Sequence, residues 1–588
     1  MKARGLTPQP QDAAPEPIDE PDDGVQAIDD GVFLSWAGRR RFRAAVPTPR
    51  VFVPVPEASD PTEEDPGNLV IEGDNRQAMV SLFAQYQSQV DVVVIDPPYN
   101  TGKNDFRYDD ARFQDPDADQ GRGDFVKAED GGKHTKWLNQ MAPTLWLIKE
   151  LMAAHGVIFV HINDIELPRL LLLMEEIFDA DNWLGTIVWR GSTDNNPSQI
   201  VTEHEYIVCY AKDKESVPSV WKGQVHDLVT LMTTEFDRLK AESADLDELR
   251  TRWRAWIREH KVELPNALAR KSQVNERGPY QPDGDLANPG KRGYYFDVLH
   301  PDTHQPVKVP LMGWRYPPES MDRLIAQGMI EWPADHTKQP GLRRYLKEDQ
   351  TERLRSVIEM DNRTASYDIA RLFPESPSIF KNPKPVALEE YLLSFAAPTD
   401  ALVLDCFAGS GTTAHAVMRL NKKEGGSRRF IMIEEGNPSD QYATTLTAER
   451  LRRARTEDSL PGGFSFLRLG EEIDREAFAT FQRHTVIEAI RQADASGRGS
   501  GIKPIDGKWV IGSNSRRQAI CLGYSVDGAA VTAADLHEMF LEADDLALAR
   551  PLRVYGSACE VLESDGFSFF QIPEELLANL SVGRGLRR

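Results

Sequence analysis

Cysteine is scarce in this chain. The 588 residues include four, Cys209, Cys406, Cys521 and Cys559, which lie far apart and form no CxxC pair. That spacing excludes a disulfide framework, argues against a zinc site and suits the cytoplasm. No apolar run reaches the length of about eighteen residues that a membrane-spanning helix needs. The start, Met1-Lys2-Ala3-Arg4-Gly5 followed by Pro- and Asp-rich sequence, has no apolar stretch of the signal-peptide kind. A Gly-Lys-Ser/Thr loop is also missing, so the chain is not an ATP-driven translocase by that route. Basic residues are in deficit, 69 against 92 acidic ones, for a net charge of -23. Such a sum is awkward for a protein that holds phosphates, yet a groove needs only a local basic lining.

What is present is the composition of a globular protein, 40% hydrophobic and 27% charged, long enough for roughly two to four domains. Residues 1–66 are rich in Pro, Asp and Glu, with one apolar island at 32–36, and read as an acidic arm that is disordered or loosely docked. Over 67–190 strands alternate with helices. Residues 68–75 read as a strand and loop, the β-branched run 90–95 as a buried parallel strand, 138–152 as a helix, 156–162 as a second buried strand and 167–178 as a helix. That rhythm predicts an α/β, doubly wound, Rossmann-like core with helices on both faces. It breaks over 191–374, where a charged helical stretch at 233–261 and loops rich in Gly, Pro and Asn predict an inserted domain. It returns over 375–460, with strands at 401–405 and 429–434, and a small mixed C-terminal domain follows at 461–588.

The strongest chemical signal is Asp96-Pro97-Pro98-Tyr99, directly after the run 90–95. Open α/β sheets bind ligands at the carboxyl ends of their strands. An aromatic amine is a poor nucleophile because its lone pair is delocalised into the ring. A carboxylate (Asp96) and a backbone carbonyl (Pro97) that accept its hydrogen bonds would push the nitrogen toward a reactive, pyramidal form, and a proline at 97 also stiffens the loop. Tyr99 offers a ring on which a base taken from a duplex can stack. The alternative is a plain surface turn, which Asp-Pro and Pro-Pro both favour.

A second signal runs from Leu404 through Asp405, Cys406, Phe407, Ala408, Gly409, Ser410, Gly411, Thr412 and Thr413. A strand enters a glycine turn and then a helix, so backbone and helix N-terminus can both approach a ligand. Asp405 is placed to hold an ammonium, directly or through water. Glu434 and Glu435 end the next strand about twenty residues on, where an acidic side chain binds ribose hydroxyls in a nucleotide fold, and position favours Glu434. Read alone, the glycines are a tight turn and the glutamates two solvated carboxylates.

Together, Asp96–Tyr99 preceding Phe407–Gly411 resembles the beta class of DNA amino-methyltransferases, in which the catalytic motif comes before the cofactor motif. The resemblance spans roughly 68–453. It includes Gly73-Asp74-Asn75, Asn100-Thr101-Gly102, His134-Thr135-Lys136-Trp137-Leu138, Thr186-Ile187-Val188-Trp189 and Lys381-Asn382-Pro383-Lys384-Pro385, and is most similar to the modification subunit of type III restriction–modification systems. It implies a core of circularly permuted motif order that transfers a methyl group from S-adenosylmethionine to adenine N6, since Asp rather than Ser stands at the first catalytic position. Asp96, Pro97, Pro98 and Tyr99 would be catalytic. Phe407, Ala408, Gly409, Ser410, Gly411 and Thr412 would bind the cofactor, with Asp405 and Glu434 beside them. Asp74 and Asn75 would lie near its adenine, and the segment holding Lys381 and Pro383 would enter the cofactor half.

Residues 191–374 would then recognise the target in double-stranded DNA. The partner would be a separate restriction subunit with helicase and nuclease motifs, two copies of the chain would assemble, and no metal is implied. None of the four cysteines follows a proline, which disfavours methylation at cytosine C5 through a covalent thiolate.

Other features stay open. Trp253-Arg254-Ala255-Trp256-Ile257-Arg258 and Arg343-Arg344-Tyr345-Leu346-Lys347 mix aromatics with cations, as nucleic-acid surfaces and ordinary amphipathic elements both do. His204 and Tyr206 read as packing residues rather than catalytic ones. The rivals are a solitary DNA methyltransferase, a methyltransferase of RNA or of protein amides, and a specificity or scaffold subunit of a defence complex.

Overall fold

The computed structural model describes residues 34–39, 46–62, 67–108, 124–191 and 199–580, apart from 222, 225, 261–263, 265, 348–350, 381, 436–440, 495, 497–501 and 524–528. Its centre is a ten-stranded sheet. In chain order the strands are β1 (Arg50–Pro54), β2 (Leu69–Glu72), β3 (Val90–Ile95), β4 (Met152–Ile162), β5 (Trp183–Arg190), β6 (His204–Ala211), β7 (Val357–Glu359), β8 (Leu402–Asp405), β9 (Arg429–Glu434) and β10 (Ser465–Glu472). They lie in the order β1-β10-β2-β9-β8-β3-β4-β6-β5-β7, and all but β1 and β6 run the same way. The sheet is therefore mixed, with a parallel centre.

The β-branched run of β3 shows why. Val93 and Ile95 enter one buried cluster and Val92 and Val94 another, so both faces of the strand are covered. The first face is packed by helices α1 (Asn75–Tyr86), α2 (Lys133–Leu151) and α3 (Leu167–Phe178). The second is packed by α4 (Val386–Ala396), α5 (Thr412–Glu424) and α6 (Glu449–Glu457). Among the described residues no helix is long and apolar enough to cross a membrane.

The sheet reaches further along the chain than the sequence rhythm suggests, in three places. Strand β6 sits between β4 and β5, and β7 closes the edge beyond β5, so the chain leaves the sheet after Ala211 and returns at Val357 rather than at 191 and 374. An antiparallel strand and a three-residue edge strand do not show the alternation of strand and crossover helix on which that boundary was placed. At the other edge β10 pairs with β2, past the boundary at 460, and β1 pairs with β10, which draws residues 50–54 of the acidic arm into the sheet. Residues 1–33 lie outside the described residues.

Between Ala211 and Val357 the chain forms two small cores. One gathers Met232, Phe236, Trp253 and Ile257, the other Leu286, Val298, Trp314 and Met321. The charged helical stretch at 233–261 falls on two helices, His226–Glu242 and Leu246–Glu259. Asp245 breaks it by accepting hydrogen bonds from the N–H groups of Asp247 and Glu248, at 3.0 and 2.9 Å, as an N-cap does. The C-terminal part has its own five-stranded sheet, beginning at Lys503–Pro504 and ending at Phe567–Gln571. It is fastened to the large sheet by Gln492, which accepts from the Phe52 N–H at 2.9 Å and donates to the carbonyls of Arg50 and Ser81 at 2.8 and 3.0 Å.

Candidate active site

Strands β3 and β8 are parallel neighbours, Val92 opposite Val403 and Val93 opposite Leu404. From β8 the chain goes on to β9 on one side; from β3 it goes on to β4 on the other. A reversal of this kind leaves a crevice at the carboxyl ends of the two strands. Asp405 ends β8 and Asp96 follows β3, so the two sequence motifs, some three hundred residues apart in the chain, meet across one strand boundary.

On the β3 side, the Lys384 Nζ donates to Asp96 Oδ2 at 2.9 Å and lies 3.4 Å from Glu205 Oε2. The same ammonium sits 4.9 Å from the centre of the Tyr99 ring, whose hydroxyl donates to Glu205 Oε2 at 2.8 Å. The other carboxylate oxygen, Asp96 Oδ1, is buried and makes no hydrogen bond among the described residues. Burial pushes the Asp96 carboxyl up, but the charges of Lys384 and His161 outweigh it and hold the group below its ordinary value. Burial, then Asp96 and Glu205, raise the Tyr99 hydroxyl well above its own, so it stays protonated. Beneath them His161 Nε2 and Glu389 Oε1 are 3.1 Å apart, both fully buried. Burial works against a charged imidazole there, and Glu389 raises it nonetheless.

The loop after Tyr99 is locked from several sides. Trp137 Nε1 donates to the Pro98 carbonyl at 2.7 Å. Asn100, in the left-handed region at φ +57°, donates through its amide to the Lys133 carbonyl at 3.1 Å and to the buried Glu166, which also holds His134 Nδ1 at 2.6 Å. At Gly102 (φ +77°) a Cβ would fall 2.2 Å from the Ala128 nitrogen, so only glycine fits. Asn100 from one sequence motif and His134 and Trp137 from another thus converge on the loop that holds Asp96–Tyr99.

On the β8 side, Asp405 is buried. Its Oδ2 accepts from the Thr413 hydroxyl at 2.7 Å and its Oδ1 from the Phe407 N–H at 3.0 Å. Burial nevertheless pushes the carboxyl up to about 7. The turn closes with the Gly411 N–H donating to the Ala408 carbonyl at 2.7 Å, and α5 starts at Thr412. Glu434 Oε2 accepts from the Gly409 N–H at 2.6 Å, which brings the end of β9 onto the glycine turn, while Glu435 is exposed. Asn75 donates to the Cys406 carbonyl at 3.4 Å, and Asp74 Oδ1 caps α1 by accepting from the N–H groups of Arg76 and Gln77. Pro383 is buried beside Lys384; Lys381 lies outside the described residues. The thiol of Cys406 is pushed well up by burial and is no nucleophile.

The expected residues Asp96, Tyr99, Asp405, Gly409 and Glu434 are brought to one crevice. Several others had no role in the sequence. Lys384 stands in the sequence only as part of a segment, and Glu205 only between two residues read as packing, His204 and Tyr206. His204 and Tyr206 do pack on each other (Nε2 to hydroxyl 2.8 Å), but strand alternation turns Glu205 the opposite way, into the site. His161, Glu389, Thr447 and Arg450 carried no local signal. The last two hold the glycine turn from behind: the Thr447 hydroxyl donates to the Gly409 carbonyl at 2.6 Å, and the buried Arg450 to the hydroxyls of Ser410 and Thr412 at 2.5 and 2.9 Å.

Comparison with known proteins bears on this crevice directly. Residues 90–443 match the DNA methylase family (N6_N4_Mtase). The chain belongs to this family. The methylase is 36% identical over 483 residues to the EcoP15I Mod subunit, a type III restriction-modification enzyme of Escherichia coli, covering 78% of this chain and 74% of that one. It is 29% identical over 439 residues to the EcoPI Mod subunit of Escherichia phage P1, with 68% and 63% covered. To the StyLTI Mod subunit of Salmonella typhimurium it is 27% identical over 383 residues, with 62% and 52% covered. The family and these relatives make it a Mod-like DNA adenine methyltransferase with S-adenosylmethionine as methyl donor.

The residues of the crevice fit that donor. The buried Asp405 carboxyl, at about 7, would suit an ammonium, the half-buried Glu434 carboxylate on the glycine turn would suit ribose hydroxyls, and the start of α5 offers backbone N–H groups.

Proposed function

We propose that the methylase takes an adenine out of the duplex and methylates its N6 at the carboxyl ends of β3 and β8. One observation carries this reading: Asp96 has one oxygen pinned by Lys384 and the other, Oδ1, buried and unbonded, one strand from the glycine turn. Bound S-adenosylmethionine supplies an electrophilic methyl group. Asp96 Oδ1 and the Pro97 carbonyl accept the two hydrogens of the adenine amine, aim its nitrogen at that methyl and leave Asp96 to take the proton that the nitrogen sheds. Tyr99, kept neutral, stacks on the base. Positioning and charge stabilisation supply the rate, with no covalent enzyme intermediate.

Around this centre we assign the circularly permuted core to the large sheet, with the catalytic motif first. Target recognition goes to residues 212–356, and docking of a partner to the C-terminal sheet. A separate restriction subunit, which the names of the relatives support, a second copy of the chain and a cytoplasmic setting complete the proposal.

The test is transfer of labelled methyl from S-adenosylmethionine to unmethylated bacterial DNA, followed by mass analysis of the nucleosides. N6-methyladenine is expected. Label in RNA or protein instead, with none in DNA, would sink the reading.

Asp405 gives a second handle. At neutral pH about half of its carboxyls carry a proton. An ammonium bound beside it favours the ionised form, so cofactor binding is expected to release a proton near neutral pH, and none above about pH 9. Calorimetric titration in buffers of different ionisation enthalpy measures this. The buffer dependence should vanish in Asp405→Asn, and its absence from the unaltered protein would remove the ammonium role.

A further inference from the structure

Of the two sequence stretches that mix aromatics with cations, the structure separates one from the other. In the helix Leu246–Glu259, Arg250 lies 3.1 Å from Asp247 and Arg252 lies 2.6 Å from Glu242, while Arg254 donates to the Gln273 amide oxygen at 2.6 Å and Arg258 is exposed. Trp253 and Ile257 are core residues, and Trp256 stacks on Trp253 at 5.2 Å. This is an amphipathic helix with solvated charges.

The strand Gly341–Tyr345 differs. It pairs with Gly278–Gly284 and with Ile330–Glu331. Alternation sends Arg343 to one face, where it meets Glu331 at 2.6 Å and lies over the Tyr280 ring. Arg344 goes to the other face and is exposed, as is Lys347 just beyond the strand. Neither pairs with a carboxylate among the described residues. Beneath them Lys271 is only 4% exposed, and its ammonium donates to the carbonyls of Arg344 and Tyr345 at 2.8 and 3.3 Å, fixing the backbone that carries Arg344. Arg270 stands beside it, paired with Asp283 at 2.8 Å. Burial, then Arg344, Lys347 and Arg270, lower the Lys271 ammonium to about 8. The local field is therefore positive and largely uncompensated, in a chain whose net charge is -23. Such a patch repels itself until an anion lies on it.

We propose that Arg344 and Lys347, flanked by Arg270 and seated on the buried Lys271, contact phosphates of the DNA backbone and so fix the duplex without reading its sequence. The proposal rests on the reading of the chain as a DNA methyltransferase. One exposed cation on the strand and a second just past its end match the spaced single charges of a backbone, and contacts of this class position the protein on a duplex rather than specify bases.

The experiment is binding of a labelled duplex over a series of salt concentrations, for the full chain and for Arg344→Ala/Lys347→Ala. Each phosphate contact contributes about 0.9 to the slope of log affinity against log salt. The double variant is expected to lower that slope by about 2 and to weaken binding on the order of tenfold or more, equally for a methylated target sequence and a scrambled one. Both side chains are exposed, so the thermal midpoint and the affinity for S-adenosylhomocysteine should not move. An unchanged slope overturns the proposal, as does a loss confined to the target sequence, which would make these side chains readers of bases. If the unaltered chain binds no duplex at all, the functional reading fails first and this contact fails with it.

Discussion

Asp96→Ala is expected to reduce methyl transfer to DNA by about 10²–10⁴-fold while S-adenosylmethionine binds nearly as before. The magnitude follows from what is removed. In the proposed reaction the carboxylate both orients the amine and takes its proton, and Glu205 cannot take its place, because it is already bonded to Tyr99 and faces Lys384. Binding survives because the cofactor residues hang on β8 and β9, whose hydrogen bonds do not involve Asp96. Asp405 is held by Thr413 and Phe407, and Gly409 by Glu434 and Thr447. Asp96→Asn is the sharper variant. It keeps the shape and one acceptor but cannot accept a proton, so turnover should fall nearly as far. Single-turnover transfer beside calorimetric cofactor binding decides the matter. Equal loss of both quantities would mean that Asp96 supports the fold of the crevice rather than its chemistry.

The two halves of this crevice were legible because each is written as a local pattern at a strand end. The run 90–95 announces a buried strand, and the tetrapeptide Asp96–Tyr99 stands at its carboxyl end, where open α/β sheets bind ligands. The glycine turn and Glu434 share that property. What was not legible is whatever the sheet assembles from distant sequence. Lys384 becomes the partner of Asp96 only because the entry to α4 crosses the end of β3. Glu205 becomes the partner of Tyr99 only because β6 lies antiparallel beside β4, two strands from β3. A single acidic residue between a histidine and a tyrosine has no period to give it away. The boundary errors share this cause. β6, β7 and β10 belong to the large sheet through pairing, and pairing is set by register between remote segments rather than by the residues of each segment.

Lys384→Met is expected to move the acid limb of the pH–rate profile to higher pH and to lower the maximal rate. Burial alone would place the Asp96 carboxyl above its ordinary value; the Lys384 ammonium, with His161, brings it below. With the ammonium gone, burial wins, and the carboxylate that the reaction needs is lost at a higher pH as the solution is acidified. Each unit by which the limb moves corresponds to about 1.4 kcal/mol of lost interaction between ammonium and carboxylate. The same substitution leaves Asp96 and Glu205 as half-buried carboxylates without their shared cation. The fold should therefore lose stability, by less than a fully buried pair would cost because water screens both carboxylates, and more at neutral pH than at low pH, where Asp96 can take a proton. Lys384→Arg keeps the charge and separates the two effects: it should hold the acid limb near its original place even if a longer, forked side chain costs rate. Met preserves much of the volume, so loss of packing contributes little. An unmoved acid limb in Lys384→Met, with rate and stability both reduced, would show that the ammonium braces the loop without setting the charge of Asp96.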